Sequence, residues 1–434
     1  MNKKMSVTAL ALAVGASAGA AQAQSLEERV SALENTPLAN TNFAVGGFIK
    51  ADSHLTQATD GDSSASQDFI IPSLIPTGGD NSSVNYNNGV KQSRIFFKTT
   101  TDTDIGDVGT YIEIDFQGGG GNERVSSSFN PRLRHAFMTF QDFTIGQTWS
   151  TFFNVGTLPE NLDFVGPVGT IFERQPQIRY SPGNWDFALE NPESTVYDNA
   201  DDATSYDDNR MPDMVARYNI PVDAGSLSIA AMGREIAYKD ATQNLGDASR
   251  ESAYGYGVSL AAKIPVGDDG SDIRAQLNGG NAMGRYMSLN GFRAAQIEAN
   301  GDIELIDQMG GFVSYRHIWS PQWRSNLTLS HSEADNPDAV DGGAAKSYSS
   351  THANLIYSPF PTWIWAAKSF GRTRSLRTKA TVNSTGCNSP PSSASDPSLQ
   401  LAATPVAACP TRSNGTKPRE SGHSAPAEGY RSAP

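Results

Sequence analysis

From Phe43 onward, apolar and polar positions alternate with a period of two, the spacing that sends successive side chains to opposite faces of a strand. Phe43, Val45, Gly47, Ile49 and Ala51 alternate with Ala44, Gly46, Phe48, Lys50 and Asp52. Ile112, Ile114 and Phe116 alternate with Tyr111, Glu113 and Asp115. Trp185, Phe187 and Leu189 oppose Asp186 and Glu190, and Ile273, Ala275 and Leu277 oppose Arg274, Gln276 and Asn278. The same beat runs through 94–98, 132–140, 143–151, 177–180, 216–219, 227–234, 256–263, 313–319, 324–329, 347–359 and 362–370. That makes about fifteen strands, each near the ~9–11 residues of a tilted membrane strand.

The connections alternate in length. Short turns fall at 104–107, 141–142, 182–184, 221–225, 265–270 and 320–322. Long polar or acidic segments fall at 57–90, 118–130, 191–210, 236–252 and 334–346. Short turns on one rim and long loops on the other mark an outer-membrane barrel. Tyr180, Trp185, Tyr218, Trp319, Trp323, Trp363 and Trp365 stand beside turns, where an interfacial aromatic girdle belongs. A soluble sandwich or β-helix is the competing fold. It has no need of long loops confined to one rim.

The first forty residues follow another rule. Lys3 and Lys4, an apolar run over 7–21 and Ala21-Gln22-Ala23 form a secretory signal, 1–23. The 24–40 segment carries Leu26, Val30 and Leu33 at helical spacing, a short periplasmic coiled-coil stub that Pro37 ends. A helix this short is marginal alone, so it needs self-association or docking, and a frayed amphipathic linker is the other reading of the segment.

Composition fits this picture. The chain has 434 residues, 38% hydrophobic, with a formal charge of −13, which becomes −15 once Lys3 and Lys4 leave with the signal. No run past the signal approaches the ~18 apolar residues of a spanning helix. The acidic balance argues against a nucleic-acid partner. Two cysteines exclude a disulfide-dense scaffold, and their spacing fits no zinc motif.

A signal peptide, a coiled-coil stub and about sixteen expected strands with long outer loops resemble the DcaP-like family of trimeric outer-membrane porins. The likeness covers roughly residues 24–370. Its most specific parts are the opening strand over 43–52, the 94–98 and 111–117 strands, and the hairpin of 132–140 with 143–152. The resemblance implies an all-β, sixteen-stranded antiparallel transmembrane barrel over 41–370, assembled as a homotrimer in a Gram-negative-type outer membrane. It implies passive uptake of small, often anionic solutes such as dicarboxylates, with outer-membrane lipid as the other partner and no cofactor. A non-transporting surface barrel or adhesin, or an inactive truncated porin, is the alternative. A plug-type receptor would need over a hundred residues before Phe43.

The chain departs from the family at its end. Residues 371–434 are rich in Ser, Pro, Thr and Arg, lack alternation and hold both cysteines, Cys387 and Cys409. The expectation is a frameshifted or disordered tail in place of the closing strand. Read from the third base of the Lys379 codon, suitable codons for residues 380–390 encode Ser-Asp-Gly-Glu-Leu-Asn-Arg-Leu-Gln-Phe-Thr, a turn and an alternating strand.

If the apolar parity faces lipid, the opposite parity lines the lumen. It collects Lys50, Arg94, Lys98, Arg132, Arg134, Arg179, Arg217, Arg234, Arg274, Arg316 and Arg324 as pore-lining residues. Against them stand Asp52, Glu113, Asp115, Asp186 and Glu190. A basic wall inside an acidic protein concentrates anions. The bland reading is that each Arg merely pairs with a luminal carboxylate. In general porins the connection after the fifth strand folds inward and narrows the pore, and this likeness implies the same for the 154–174 segment, with Pro159, Pro167 and its own apolar residues. Its Glu160 and Asp163 would then face the arginine wall across the gap. A surface cap is the other reading of this segment. The residues point away from an enzyme and from a metal site. None of the six His forms an i, i+4 ligand pair, and no Gly-x-Ser-x-Gly elbow occurs. Acidic loops at 60–62 and 335–341 match no full calcium loop.

Overall fold

The computed structural model describes residues 40–62, 71–198, 203–239, 249–338, 340, 343–376 and 393–401. The signal and the coiled-coil stub lie outside the described residues. Eighteen antiparallel segments join in one sheet. The first two crossings are each interrupted, so the eighteen segments make sixteen crossings. β1 runs as Thr41–Phe48 and then Asp52–Ala58. β2 runs as Ser83–Gly89 and then Arg94–Thr101. Next come β3 (Val108–Asp115), β4 (Arg132–Phe140), β5 (Phe143–Trp149), β6 (Arg174–Tyr180), β7 (Trp185–Glu190) and β8 (Asp213–Ile220). The second half holds β9 (Ser226–Lys239), β10 (Arg250–Val266), β11 (Ser271–Gly280), β12 (Asp307–Ile318), β13 (Trp323–Asp335), β14 (Ala345–Phe360), β15 (Trp363–Leu376) and β16 (Ser393–Leu401).

Each crossing pairs with the next. β16 then pairs with both β15, through Phe370↔Ser398, and β1, through Leu55↔Leu399. Among the described residues the pairings therefore form a closed ring, as crossing lipid with strands requires, although β16 meets β1 only over Ser53–Thr56 and Thr41–Phe48 is paired on one side, with Arg94–Thr101. This corrects the expectation of a tail without a strand and a barrel ending at 370. The sixteenth crossing is present in the chain as it stands, so a lost closing strand need not be invoked. The sequence hid it because only Leu399 and Leu401 alternate there and Pro397 interrupts the run. Pro has no N–H to donate to a ladder. Pro397 is tolerated because it opposes Gly371 of β15 on one side only, the β1 register beginning one residue later at Thr56↔Ser398. A second correction concerns Ser83–Gly89, which pairs with Asp52–Ala58 although it lies in the expected 57–90 loop.

The burial pattern is that of a barrel turned outward. Along β7, Trp185, Phe187 and Leu189 are exposed while Asp186, Ala188 and Glu190 are buried. Ile178, Leu260, Leu277, Val313 and Leu329 are likewise exposed. Such a face needs apolar surroundings, as outer-membrane barrels find in hydrocarbon or against another copy. The crossings differ in height. β3 to β8 have six to nine residues. β9 to β15 have 10 to 17. The largest apolar core is inside the barrel, where Phe152, Phe153, Val168 and Ile171 meet Met283, Tyr286, Met287 and Phe292.

Candidate functional site: an inward segment and a basic wall

The chain between β5 and β6, residues 150–173, crosses the interior. Its root is fixed by Glu190 of β7, which accepts from Ser150 Oγ at 2.7 Å and from the Thr151 N–H at 2.6 Å. Further along, Asn154 donates to Ser228 of β9 at 2.8 Å, and its side chain caps Gly156 N–H. Lys50 of β1 donates to Leu162 O at 2.6 Å. Arg274 of β11 donates to Leu158 O, Asn354 of β14 to Glu160 O, and Gln276 accepts from the Ile171 N–H. Contacts with five different crossings place this segment within the barrel, not over it as a cap. Two prolines, Pro159 and Pro167, keep it from becoming a strand or helix.

Glu160 and Asp163 do not face the arginines across a gap; they are joined to them. Glu160 accepts a forked pair from Arg324 at 2.5 to 3.0 Å and lies 4.0 Å from Arg316. Asp163 pairs with Lys368, with Arg372 at 2.6 Å and with His352 at 3.5 Å. Both carboxylates therefore act as pins that hold the segment to β12–β15. Arg372 falls just past the 362–370 run, and Lys368 lies within that run without having been counted on the luminal parity. The signal was there: Ala366, Lys368, Phe370 and Arg372 share the buried parity.

The pore-lining set breaks into groups. Arg132 binds Asp115 through two bonds of 2.9 and 2.7 Å, and Arg134 reaches Glu113 at 2.6 Å and Asp115 at 2.9 Å. Arg94 lies 3.6 Å from Glu113 and Lys50 3.1 Å from Asp52. Arg132 and Arg134 stack on Phe164 of the inward segment, at 4.9 and 5.8 Å from the ring centre. Phe164 meets Phe172, on which Arg174 stacks in turn. Arg274 and Arg316 share Asp272, at 2.7 and 2.6 Å, beside the Glu160 pin. Arg217 binds Asp186 at 2.8 Å. Arg179 is held by Trp149 O at 2.6 Å and by Gln177. Arg234 is sealed with Asp213 at 3.2 Å. Lys98 is exposed, apart from the rest.

Nine of these eleven cations thus have a carboxylate partner. The wall is less basic than the parity count implies, because Asp213 and Asp272 also point inward and were not counted. A surplus survives on β1–β6. There Lys50, Arg94, Arg132, Arg134 and Arg174 meet only Asp52, Glu113 and Asp115 as strand carboxylates. Arg94 Nε and Arg174 Nη1 have no acceptor among the described residues. Glu173, at the end of the inward segment, adds a switchable charge. Burial pushes its carboxyl up to about 7, against the pull of Arg285. No cluster of His, Cys, Asp and Glu among the described residues could hold a metal ion.

Residues 22–185 match the DcaP outer membrane protein family. Over that stretch the chain resembles a DcaP-like outer-membrane barrel. The crystal structure of the outer membrane channel DcaP of Acinetobacter baumannii superposes with a TM-score of 0.65 at 19% identity, covering 84% of this chain and 97% of that one. An anion-selective porin from Comamonas acidovorans matches with a TM-score of 0.45 at 11% identity, over 83% and 99% of the two chains. OmpF of Salmonella typhi matches with a TM-score of 0.45 at 12% identity, over 83% and 98%. No curated protein matches the sequence. The DcaP-like match spans β1–β6, the basic cluster, the whole inward segment and the first residue of β7.

Proposed function

We propose that this DcaP-like barrel is a passive diffusion channel for small anionic solutes of the dicarboxylate class. One observation carries the reading: the surplus of cations on β1–β6, clustered around Glu113 and Asp115. A guanidinium presents a planar fork matched to a carboxylate. In a low-dielectric channel a few uncompensated positive charges raise the local anion concentration. Paired arginines still serve, since Arg132 keeps 29% of its side chain exposed while Asp115 beneath it has none. The inward segment supplies the constriction, with Phe164 against Arg132 and Arg134 as its narrow side. No enzymatic step is assigned to the site.

The height difference supports a homotrimer. A seven-residue strand rises only ~18 Å, at about 3.3 Å per residue and a tilt near 40°, short of the ~25 Å apolar band. The low wall of β3–β8 therefore suits burial against other copies, and the tall wall of β9–β15 suits lipid. The test is liposome swelling with purified protein. Succinate-sized dianions should enter faster than neutral solutes of equal size, and cations slowest. Equal rates for all three would reject anion preference, and no swelling at all would reject the channel.

A further inference from the structure

A second segment, 281–306 between β11 and β12, also folds into the barrel. Met283, Tyr286 and Met287 are fully buried there and Phe292 nearly so, packed on Phe152, Phe153, Val168 and Ile171 of the first segment. The two segments share a backbone bridge, Ile171↔Met287. Phe172 N–H donates to Tyr286 O at 2.9 Å, and Ser288 N–H to Thr170 O at 3.0 Å. The tip turns through Ser288, Leu289 and Asn290, three successive non-glycine residues at φ 54 to 57°. Such backbone persists only where its surroundings over-determine it.

The walls are shaped to receive this unit. An added Cβ at Gly257 of β10 would lie 2.7 Å from Met283 Sδ, and one at Gly310 of β12 would lie 2.9 Å from Met287 Sδ. Ala188, Val215, Ala230 and Met232, on the inner parity of β7–β9, join the same apolar cluster and are 3 to 5% exposed. Tyr286 ties it to the wall. Its hydroxyl donates to Asp213 at 2.8 Å, accepts from Gln175 Nε2 at 2.6 Å and lies 3.3 Å from Glu190, the carboxylate that roots the first segment.

We propose that residues 281–306 and 150–173 form one packed plug that fills the β7–β9 side of the barrel, leaving solutes a path along β1–β6, with Tyr286 as the positioning residue that seats it. The inference concerns the site of the proposed channel, but its test does not depend on current. On this account the inner faces of β7–β9 are dry, whereas Lys98, Arg94 and Arg132 meet water. Apolar contact on this scale excludes water as a protein core does.

The experiment is thiol labelling of folded protein with a small anionic methanethiosulfonate, in a Cys387→Ser, Cys409→Ser background. Single variants Ala188→Cys, Ala230→Cys and Lys98→Cys are compared. The Lys98→Cys thiol should label fast. The Ala188→Cys and Ala230→Cys thiols should label roughly tenfold or more slowly, since the reagent must wait for local opening. Adding Tyr286→Phe to Ala230→Cys should speed its labelling while far-ultraviolet circular dichroism stays that of a barrel. Tyr286→Phe alone should raise single-channel conductance or its noise. If the Ala230→Cys and Lys98→Cys thiols label at equal rates, the interior of β7–β9 is open and the plug is wrong. If labelling follows the expectation but no variant conducts, the plug stands and the channel reading fails.

Discussion

Two arginine–aspartate pairs make the same signal in the sequence and do different things in the fold. Arg132 binds Asp115 through a forked contact, and 29% of its side chain stays exposed. Arg234 binds Asp213 with neither side chain exposed. Both arginines sit on the inner parity of their strands. The difference lies in what the loops bring. Opposite Arg132 stands a single phenylalanine, Phe164. Over Arg234 lie Tyr286, Ala282 O and Glu193 O, supplied by the connections between strands. Parity tells which side of the sheet a residue faces. The loops decide whether that side is water or core. A buried ion pair holds structure; a half-open one can meet a solute.

The largest expected effect separates the pairs by stability. Arg234→Ala leaves Asp213 buried with its main partner gone and should cost ~3–5 kcal/mol. Arg132→Ala should cost about 1 kcal/mol or less, because the pair is partly solvated and Asp115 keeps Arg134. Urea unfolding in detergent, followed by loss of heat-modifiable migration, reads both. Equal losses would erase the distinction.

The double variant Arg234→Met, Asp213→Leu sharpens it. Replacing a buried pair by apolar groups of similar volume is often neutral. Stability should recover only in part, because Asp213→Leu also removes the acceptor of the Tyr286 hydroxyl and a neighbour of Arg285, and the sign of ion selectivity should not change. A selectivity change would mean that Arg234 meets the pore. In the opposite region, Arg94→Gln with Arg132→Gln should lower the anion-to-cation permeability ratio by about twofold or more. The wild-type ratio should itself fall from 0.1 to 1 M salt, as the screening length shrinks from ~10 to ~3 Å.

The smallest effect is that of pH. Glu173 is held up to about 7 by burial, so it is neutral below that pH and negative above it. Neutralising it beside Arg174 leaves the basic side more positive. Anion preference should therefore rise as pH falls from 8 to 6, and Glu173→Gln should flatten that dependence. A rise toward high pH would reverse the assignment.

The sequence made the barrel legible because β-alternation is a strictly local signal. Trp185-Asp186-Phe187-Ala188-Leu189-Glu190 states both faces of β7 without reference to any other part of the chain. The closing strand was illegible because its place comes from its neighbours. Ser393–Leu401 carries little apolar pattern and is defined by the open edges of β15 and β1. Ser83–Gly89 was missed for a similar reason, with Val84 and Tyr86 as its only outward apolar residues. The inward fold of 154–174 was expected from likeness to general porins, but its pins were not, since Lys368 and Arg372 lie some two hundred residues away. The 281–306 segment left only a faint trace, the glycines at 255 and 257 on the inner parity of β10. A wall that thin asks for something to pack against it.

The central claim is that the open side of the lumen is the cationic side. The zero-current potential of the purified protein in a planar bilayer under a KCl gradient tests it most directly. The account predicts the sign of a chloride-preferring pore, measured at low salt where screening is weakest. A potential of the opposite sign, showing potassium preference, would contradict it.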